Sequence, residues 1–430
     1  MNLRFLAASL LAGSALYSVA ASAQGIPTVP VTTDSFSAGR ANSSPPAPGT
    51  VTVTLRTQLW SDIGYASDSG SVNKAAAGTS KSQGFQVQEF LRMYPKLDGV
   101  AANGMQYGGF VQIRQNSGAN GASSGSTIYV RNAYSYVGAP SLGKIFVGGA
   151  PAALQVMMMG TLEGVDPNGG FNGSSALNFL NARTQPSWLP PDANGTYSAN
   201  KIVYISPKFA GFDFGASFEP NYAVGASQCA VAGPACSNLA STPGGADFRR
   251  NTFDVAARYT GSFGPAAAIV EGGYWGSGAV NNSTGSQVYK GLDVFDAGVQ
   301  ATAYGFLIGV HYDGGAINSG YLPMHVGARK EEAFSGGVQY THGTITGGVQ
   351  LINDISAGTY NSTAKYQTGL HETGILFGAA VDYASGATAY ATILYAHRHQ
   401  SGIDLLNAVP GASNNNTDAR VFAIGNVFRW

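Results

Sequence analysis

Charged residues are scarce in this chain. Only 11% of its 430 residues are Asp, Glu, Lys or Arg, whereas average globular proteins carry about 25%. The 23 basic and 23 acidic residues balance. The sequence therefore lacks the basic excess that nucleic-acid-binding proteins use, and we expect no nucleic-acid partner.

Cysteine is scarce as well. Six residues separate the two cysteines, Cys229 and Cys236, which makes them candidates for a small loop disulfide in an exported chain. A zinc site usually needs about four ligands, and neither this pair nor the pair His397 and His399 supplies them. No P-loop, zinc-protease or dinucleotide motif occurs in its proper context. We therefore predict no metal site, no cofactor and no enzymatic activity.

Long apolar runs are absent after residue 23. Residues 1–23 contain one basic residue near their start, then an apolar stretch, and end in Ala21-Ser22-Ala23. This arrangement is typical of a cleaved signal peptide. A retained membrane anchor is the alternative. No later run approaches the roughly 18 apolar residues of a membrane helix. Insertion into a membrane would therefore require a closed β-barrel.

Alternation of apolar and polar residues is the dominant pattern from residue 51 onwards. Val53 and Leu55 occupy one face of the first segment, whereas Arg56 and Gln58 occupy the other. One face suits lipid and the other water. Sixteen such segments follow one another, with fourteen or eighteen as alternatives. Short turns alternate with long polar loops. The pattern predicts an all-β fold, a transmembrane antiparallel β-barrel over residues 51–430.

Two stretches do not alternate. Residues 24–50 are rich in Pro, Ser and Thr and are predicted to be a periplasmic extension. Residues 151–199 form a long insertion after the fifth strand. Insertions of this length without secondary structure are usually functional.

Three motifs resemble the general porin family of Gram-negative bacteria. They are the segment RNAYSYVG from Arg131, the segment NKIVYISPKFAGF from Asn200 and the C-terminal aromatic Trp430. The resemblance implies an outer-membrane location and a sixteen-stranded homotrimer in contact with lipid and lipopolysaccharide. It also implies passive diffusion of small hydrophilic solutes and ions. Residues 151–199 would then fold into the barrel as a constriction loop.

A basic wall is predicted from the residues themselves. A lipid-facing arginine at mid-membrane costs about 2–4 kcal/mol, so arginines on the polar faces of consecutive strands should point into the lumen. Structural ion pairs in the wall are the alternative. The predicted basic residues are Arg56, Arg92, Arg114 and Arg131.

The acidic partners of this wall follow from the resemblance, because porin loops place acidic side chains opposite wall arginines. The loop offers Glu163 and Asp166. Glu271 and Asp296 also fall on lumen faces, and we interpret them as scattered wall charges. The sign of the ion selectivity stays open.

Two other functions remain open. One is a substrate-selective channel for sugars or small carboxylates, to which the lumen-facing aromatics Trp60, Phe90 and Phe110 would point. The other is a structural barrel with a plugged lumen.

Overall fold

The computed structural model describes residues 46–69, 84–116, 127–160, 162, 175–180, 184–186, 200–223, 248–278, 280–281, 288–318, 324–359 and 368–430. The predicted signal peptide, most of the predicted extension, the loop residues Glu163 and Asp166, and both cysteines lie outside these ranges.

Sixteen antiparallel strands form one closed barrel, which confirms the predicted fold. Each strand pairs with its neighbours in sequence, and β16 pairs with β1 to close the sheet, with Trp60 opposite Val427. The strands are β1 (Val51–Asp68), β2 (Phe85–Val100), β3 (Gln106–Asn116), β4 (Thr127–Ala139), β5 (Gly143–Gly149), β6 (Asn200–Ile205), β7 (Phe212–Ala223), β8 (Phe248–Phe263), β9 (Ala266–Gly276), β10 (Asp293–Ala303), β11 (Phe306–Gly315), β12 (Glu331–His342), β13 (Ile345–Ser356), β14 (Leu370–Ala384), β15 (Ala387–His399) and β16 (Asn416–Arg429).

Helix is almost absent from the described ranges. The insertion after β5 contains two short helices, α1 (Ala153–Met157) and α2 (Ser175–Asn178). No helix in the described part of the chain has the length and apolarity needed to cross a membrane.

The connections differ at the two ends of the barrel. Short turns join strands at one end, such as the turn between β10 and β11, where Tyr304 and Gly305 have φ of 51° and 85°. Positive φ at two successive residues is the geometry of a type I′ hairpin. Long loops join strands at the other end. Two of them contain two-stranded hairpins, Val280–Asn281 with Val288–Tyr289 and Ile403–Asp404 with Val409–Pro410.

The barrel is apolar on the outside and polar inside. On β1, the outward side chains Val53 and Leu55 are 75% and 56% exposed, whereas the inward side chains Trp60 and Asp62 are 0% and 2% exposed. A protein dissolved in water shows the reverse distribution. An exposed apolar band on alternate residues is what contact with lipid requires.

The insertion after β5 folds into the barrel. All five residues of α1 are buried, and the helix contacts the inner faces of β6 to β9. Leu154 and Met157 pack there against Val203 on β6, Ala256 on β8 and Trp275 on β9.

The same insertion also reaches the other side of the lumen. Leu177, Phe179 and Leu180 pack against inward residues of β1 and β13 to β16, including Leu394 and Val421. In a ring of sixteen strands, β16 lies half a circumference from β8. The insertion therefore contacts two opposite walls.

Close approach of the loop to the wall depends on glycine at Gly298. A side chain built at Gly298 on β10 would collide with the carbonyl oxygen of Met159. We expect Gly298→Ala to displace the loop and to lower the free energy of unfolding by about 1–3 kcal/mol, the usual cost of overpacking. Urea titration of the barrel in lipid vesicles measures this change.

Gly272 on the adjacent strand is the matched control. A methyl group there would meet only the backbone oxygen of Asp296, at 3.8 Å, which is an ordinary contact. Gly272→Ala should leave the unfolding free energy within about 0.5 kcal/mol of the original. Equal effects of the two substitutions would mean that the loop does not lie tightly on β10.

Candidate pore constriction

The start of the loop is held by polar groups of the wall. The backbone N–H of Ala153 donates to Ser217 Oγ at 2.6 Å, and that of Leu154 donates to Asp254 Oδ1 at 2.8 Å. These are the first N–H groups of α1, which have no partner within the helix. A carboxylate at a helix N-terminus also interacts favourably with the helix dipole. The wall thus supplies the cap that the loop sequence lacks.

A buried ion pair lies below the end of α1. Arg258 on β8 donates to both carboxylate oxygens of Asp213 on β7, from Nε at 3.1 Å and from Nη2 at 2.5 Å. Its Nη1 donates to the carbonyl oxygen of Val156 at 3.4 Å. Bidentate arginine–carboxylate pairs fix orientation as well as energy. Arg258 thus connects the wall to the loop backbone.

Met159 is held through both of its backbone polar groups. Its N–H donates to Glu271 Oε2 at 2.9 Å, and its carbonyl oxygen lies 2.8 Å from His311 Nδ1. Asp296 and Asp313 lie beside the same imidazole. Our interpretation of Glu271 and Asp296 as scattered wall charges is therefore wrong, because the two carboxylates form one cluster beneath the loop.

Arg92 and Arg114 lie side by side on the wall opposite that cluster. Gln58, Arg92 and Arg114 are successive register partners across β1, β2 and β3. Both arginines are buried. With its amide oriented to suit its neighbours, Gln112 accepts from Nε and Nη2 of Arg114 at 2.8 Å each and donates to Asn132 at 2.8 Å.

The other two predicted arginines are offset from this pair. Arg56 is the register partner of Tyr94, two positions along β1 from Gln58. Arg131 lies at a bulge, because the pairing of β3 with β4 shifts between Gln112 and Ile113. A bulge of this kind changes the direction in which a side chain points. The next residue, Asn132, is buried. Arg56 and Arg131 are both half-buried.

Aromatic rings accompany the basic side chains. The Arg92 guanidinium lies 4.8 Å from the ring centre of Trp60 and 4.7 Å from that of Phe90. The guanidinium of Arg114 lies 5.9 Å from the Phe90 ring centre. A cation over a ring gains about 0.5–2 kcal/mol. The rings therefore help to hold the arginines against the wall.

A second group of rings continues along the inner faces of β2 to β5. Phe110 and Tyr134 stack at 5.2 Å between ring centres, and Tyr134 meets Phe146 edge-on at 5.6 Å. These rings line a cavity of about 260 Å³ together with Lys96 and Lys144. We call this group the aromatic row; its members are Tyr94, Phe110, Tyr134, Tyr136 and Phe146.

The sequence analysis missed a long acidic wall. Buried inward carboxylates occur on every strand from β7 to β14. The alternation that placed Glu271 and Asp296 on lumen faces would have identified the other seven acids too, but we looked for acidic residues on the loop. They are Asp213, Glu219, Asp254, Glu271, Asp296, Asp313, Glu331, Asp354 and Glu372.

A closed barrel with an apolar outer band, a polar interior and a loop that contacts opposite walls defines an outer-membrane β-barrel channel. The chain belongs to the Gram-negative porin family, whose model matches residues 7–429. Family and fold indicate a channel rather than an enzyme. No curated protein matches the chain.

Solved structures of porins and channels share this fold at low sequence identity. OmpF of Salmonella typhi in complex with daunomycin aligns with a TM-score of 0.55 at 12% identity, over 88% of this chain and 97% of OmpF. The channel DcaP of Acinetobacter baumannii aligns with 0.55 at 9% identity, over 89% and 99%. An anion-selective porin from Comamonas acidovorans aligns with 0.52 at 14% identity, over 89% and 100%.

The ion pair beneath α1 makes a testable contribution. Arg258→Met would leave the buried Asp213 carboxylate without its cation, and loss of one partner of a buried pair costs about 3–5 kcal/mol. We expect urea unfolding in lipid vesicles to show this loss. The double variant Arg258→Met with Asp213→Asn should recover much of it. A double variant as unstable as the single one would show that Arg258 acts through packing or through Val156 instead.

Proposed function

We propose that this porin is a passive diffusion channel for small hydrophilic solutes and ions, with residues 151–199 as its constriction loop. The observation that carries the proposal is the contact of this loop with opposite walls, through α1 on one side and Leu177 to Leu180 on the other. A segment held at both sides of a lumen narrows the passage that solutes can use. Solutes would move down their gradients, sieved by size and charge.

We further propose that the passage prefers anions. Carboxylates of the acidic wall are buried, and several already bind the loop or a cation: Asp254 accepts from Leu154, and Glu372 forms an ion pair with Arg398 at 2.6 Å. On the facing wall, Arg56 and Arg131 are half-buried on β1 and β4. We expect a solute to meet more positive than negative charge at its closest approach.

Reversal potentials in a salt gradient test this preference. A unit charge about 4 Å from an ion contributes about 1 kcal/mol in water, or roughly fivefold in occupancy. The double variant Arg56→Gln with Arg131→Gln should therefore reduce the chloride-to-potassium permeability ratio several-fold at low salt. Planar-bilayer recordings measure this ratio.

Arg420 provides the matched control, since it is exposed on the outer face of β16. Arg420→Gln should leave the ratio unchanged. A chloride preference that survives the loss of Arg56 and Arg131 would remove these two residues from the constriction. A channel that prefers potassium before any substitution would contradict the proposed anion preference.

The aromatic row favours a second candidate function, a substrate-selective channel. Flat rings with Lys144 nearby suit small carboxylates that carry a ring, because the rings stack with the solute and the ammonium group attracts its charge. Lys96, which also lines the cavity, already pairs with Asp98 at 2.9 Å. Lys144 lies 4.9 Å from the Tyr136 ring centre, so cation and ring act at one place. Under this alternative, the row is a path of weak binding sites.

Loss of two rings separates the two candidates. Aromatic pairs contribute about 0.5–1.5 kcal/mol each, so Phe110→Ala with Tyr134→Ala should slow benzoate flux into vesicles about two- to tenfold while chloride conductance is retained. Phe212→Ala, on the exposed outer face, is the control. Benzoate flux that follows chloride conductance in all variants would favour simple diffusion.

The outer surface supports the homotrimer that we propose. Glu89 on β2 is exposed on the lipid-facing side and accepts a hydrogen bond from Gln115 at 3.1 Å. A carboxylate facing lipid is costly, whereas contact with another copy of the chain would cover it.

We also propose that residues 1–23 are a cleaved signal peptide, and that lipid and lipopolysaccharide surround the assembled barrel.

A further inference from the structure

Three metal-ligating side chains meet beneath the loop on three adjacent strands. Glu271 on β9, Asp296 on β10 and His311 on β11 are all buried, and each offers one ligand atom within 4.8 Å of the other two. Asp313 lies beside this group, with its Oδ2 2.9 Å from His311 Nε2. These residues lie far apart in the sequence, so spacing alone could not indicate the site.

The hydrogen bond to Met159 fixes the state of the imidazole. A carbonyl oxygen only accepts, so His311 Nδ1 must carry the proton that it donates to Met159. His311 Nε2 faces carboxylate oxygens, which also only accept, at 3.1 Å from Asp296 Oδ2 and 2.9 Å from Asp313 Oδ2, so it carries a proton that a metal ion would replace. Metal-binding histidines characteristically donate their other N–H to a backbone carbonyl or a carboxylate. His311 has this arrangement.

The carboxylates around His311 have unused acceptor capacity. Neither carboxylate oxygen of Asp296 takes a hydrogen bond, and the same holds for Glu271 Oε1 and Asp313 Oδ1. Asp296 is only 3% exposed, so water cannot easily compensate. Buried carboxylate oxygens without donors are costly. Carboxylates that face one another in such a site need a shared proton or a cation, and either the protonated His311 or a bound metal ion supplies that cation.

The spacing of the cluster suits a metal ion. Two ligand atoms at about 2.1 Å from one ion lie about 3.0 Å apart at right angles and about 3.4 Å apart at the tetrahedral angle that zinc prefers. The nitrogen–oxygen separations around His311, 2.9 and 3.1 Å, are a few tenths of an ångström shorter than the tetrahedral value. Small side-chain adjustments would therefore complete a coordination sphere without displacing a strand.

We propose that this cluster is a binding site for a divalent transition-metal ion such as Zn²⁺. Glu271, Asp296 and His311 are the ligands, since imidazole with carboxylates suits zinc better than calcium, and water completes the coordination. Glu271 Oε2 keeps its hydrogen bond to Met159. The ion lies directly beneath Met159, so its binding fixes the part of the loop that approaches β10 and β11. The proposal does not depend on which solutes cross the channel.

Metal content of the intact channel tests the site. Protein purified from membranes in detergent is stripped with EDTA, incubated with Zn²⁺, desalted and analysed by mass spectrometry of the metal. We expect about one zinc per chain and a higher unfolding temperature with zinc than with EDTA. Asp296→Asn, which keeps the size of the side chain, should lower the zinc affinity at least tenfold and abolish the temperature shift.

Asp254→Asn is the matched control. Asp254 is another buried carboxylate that accepts a hydrogen bond from the loop, but it lies outside the three-residue site. This variant should keep its zinc even where the loop is loosened. Zinc loss in both variants would mean that any disturbance of the loop releases the ion, which would overturn the assignment of Asp296 as a ligand.

Two other results would overturn the proposal. An original protein that retains no zinc and unfolds at the same temperature with and without EDTA would show that the carboxylates share a proton. Equal zinc in Asp296→Asn would place the ion elsewhere, for example at His397 and His399. X-ray absorption at the zinc edge decides the matter even if Asp296→Asn fails to fold. One imidazole nitrogen with oxygen ligands supports the site, whereas two or more imidazoles contradict it.

Discussion

The pairing of β1 with β16 is the interaction on which the rest of the structure depends. Lipid offers no hydrogen-bond partners, so a sheet in a membrane can have no free edge. Ladder contacts from Gln58 opposite Arg429 to Asp68 opposite Ala419 remove that edge. Once the sheet is closed, its two faces are an outside and an inside, and alternation along each strand assigns every side chain to one of them.

This assignment concentrates charge in the interior. Few charged residues exist, yet inward acids occupy β7 to β14 and arginines occupy β1 to β4. Buried charges need partners, and the loop supplies some of them through the backbone N–H groups of Leu154 and Met159. Asp254 and Glu271 on the acidic wall therefore have a structural task, namely to hold the loop.

Alternation made the barrel predictable from sequence, because the residues of each strand show by themselves which face is apolar and which is polar, whatever the neighbouring strands are. The inward positions of Arg92 and Arg114 follow from this local rule. Arg131 does not, because the bulge beside it depends on the pairing of β3 with β4. The cluster of Glu271, Asp296 and His311 also escaped prediction, since its members meet only through the register of three strands. Glu163 and Asp166 remain predictions, as they lie outside the described residues.

Side-chain size explains why the loop backbone approaches the acidic wall so closely near β10 and β11. Where the loop backbone approaches β10 and β11, Gly298 and Gly309 leave room that a methyl group would fill. The opposite wall presents Trp60, Phe90 and the aromatic row, whose rings already occupy the space above the sheet. Beside these rings, Gly64 on β1 likewise leaves room for the loop, because a side chain there would collide with the Phe179 ring. Gln86 on β2 donates to the carbonyl oxygen of Phe179, so small residues and polar groups receive the loop on this side too.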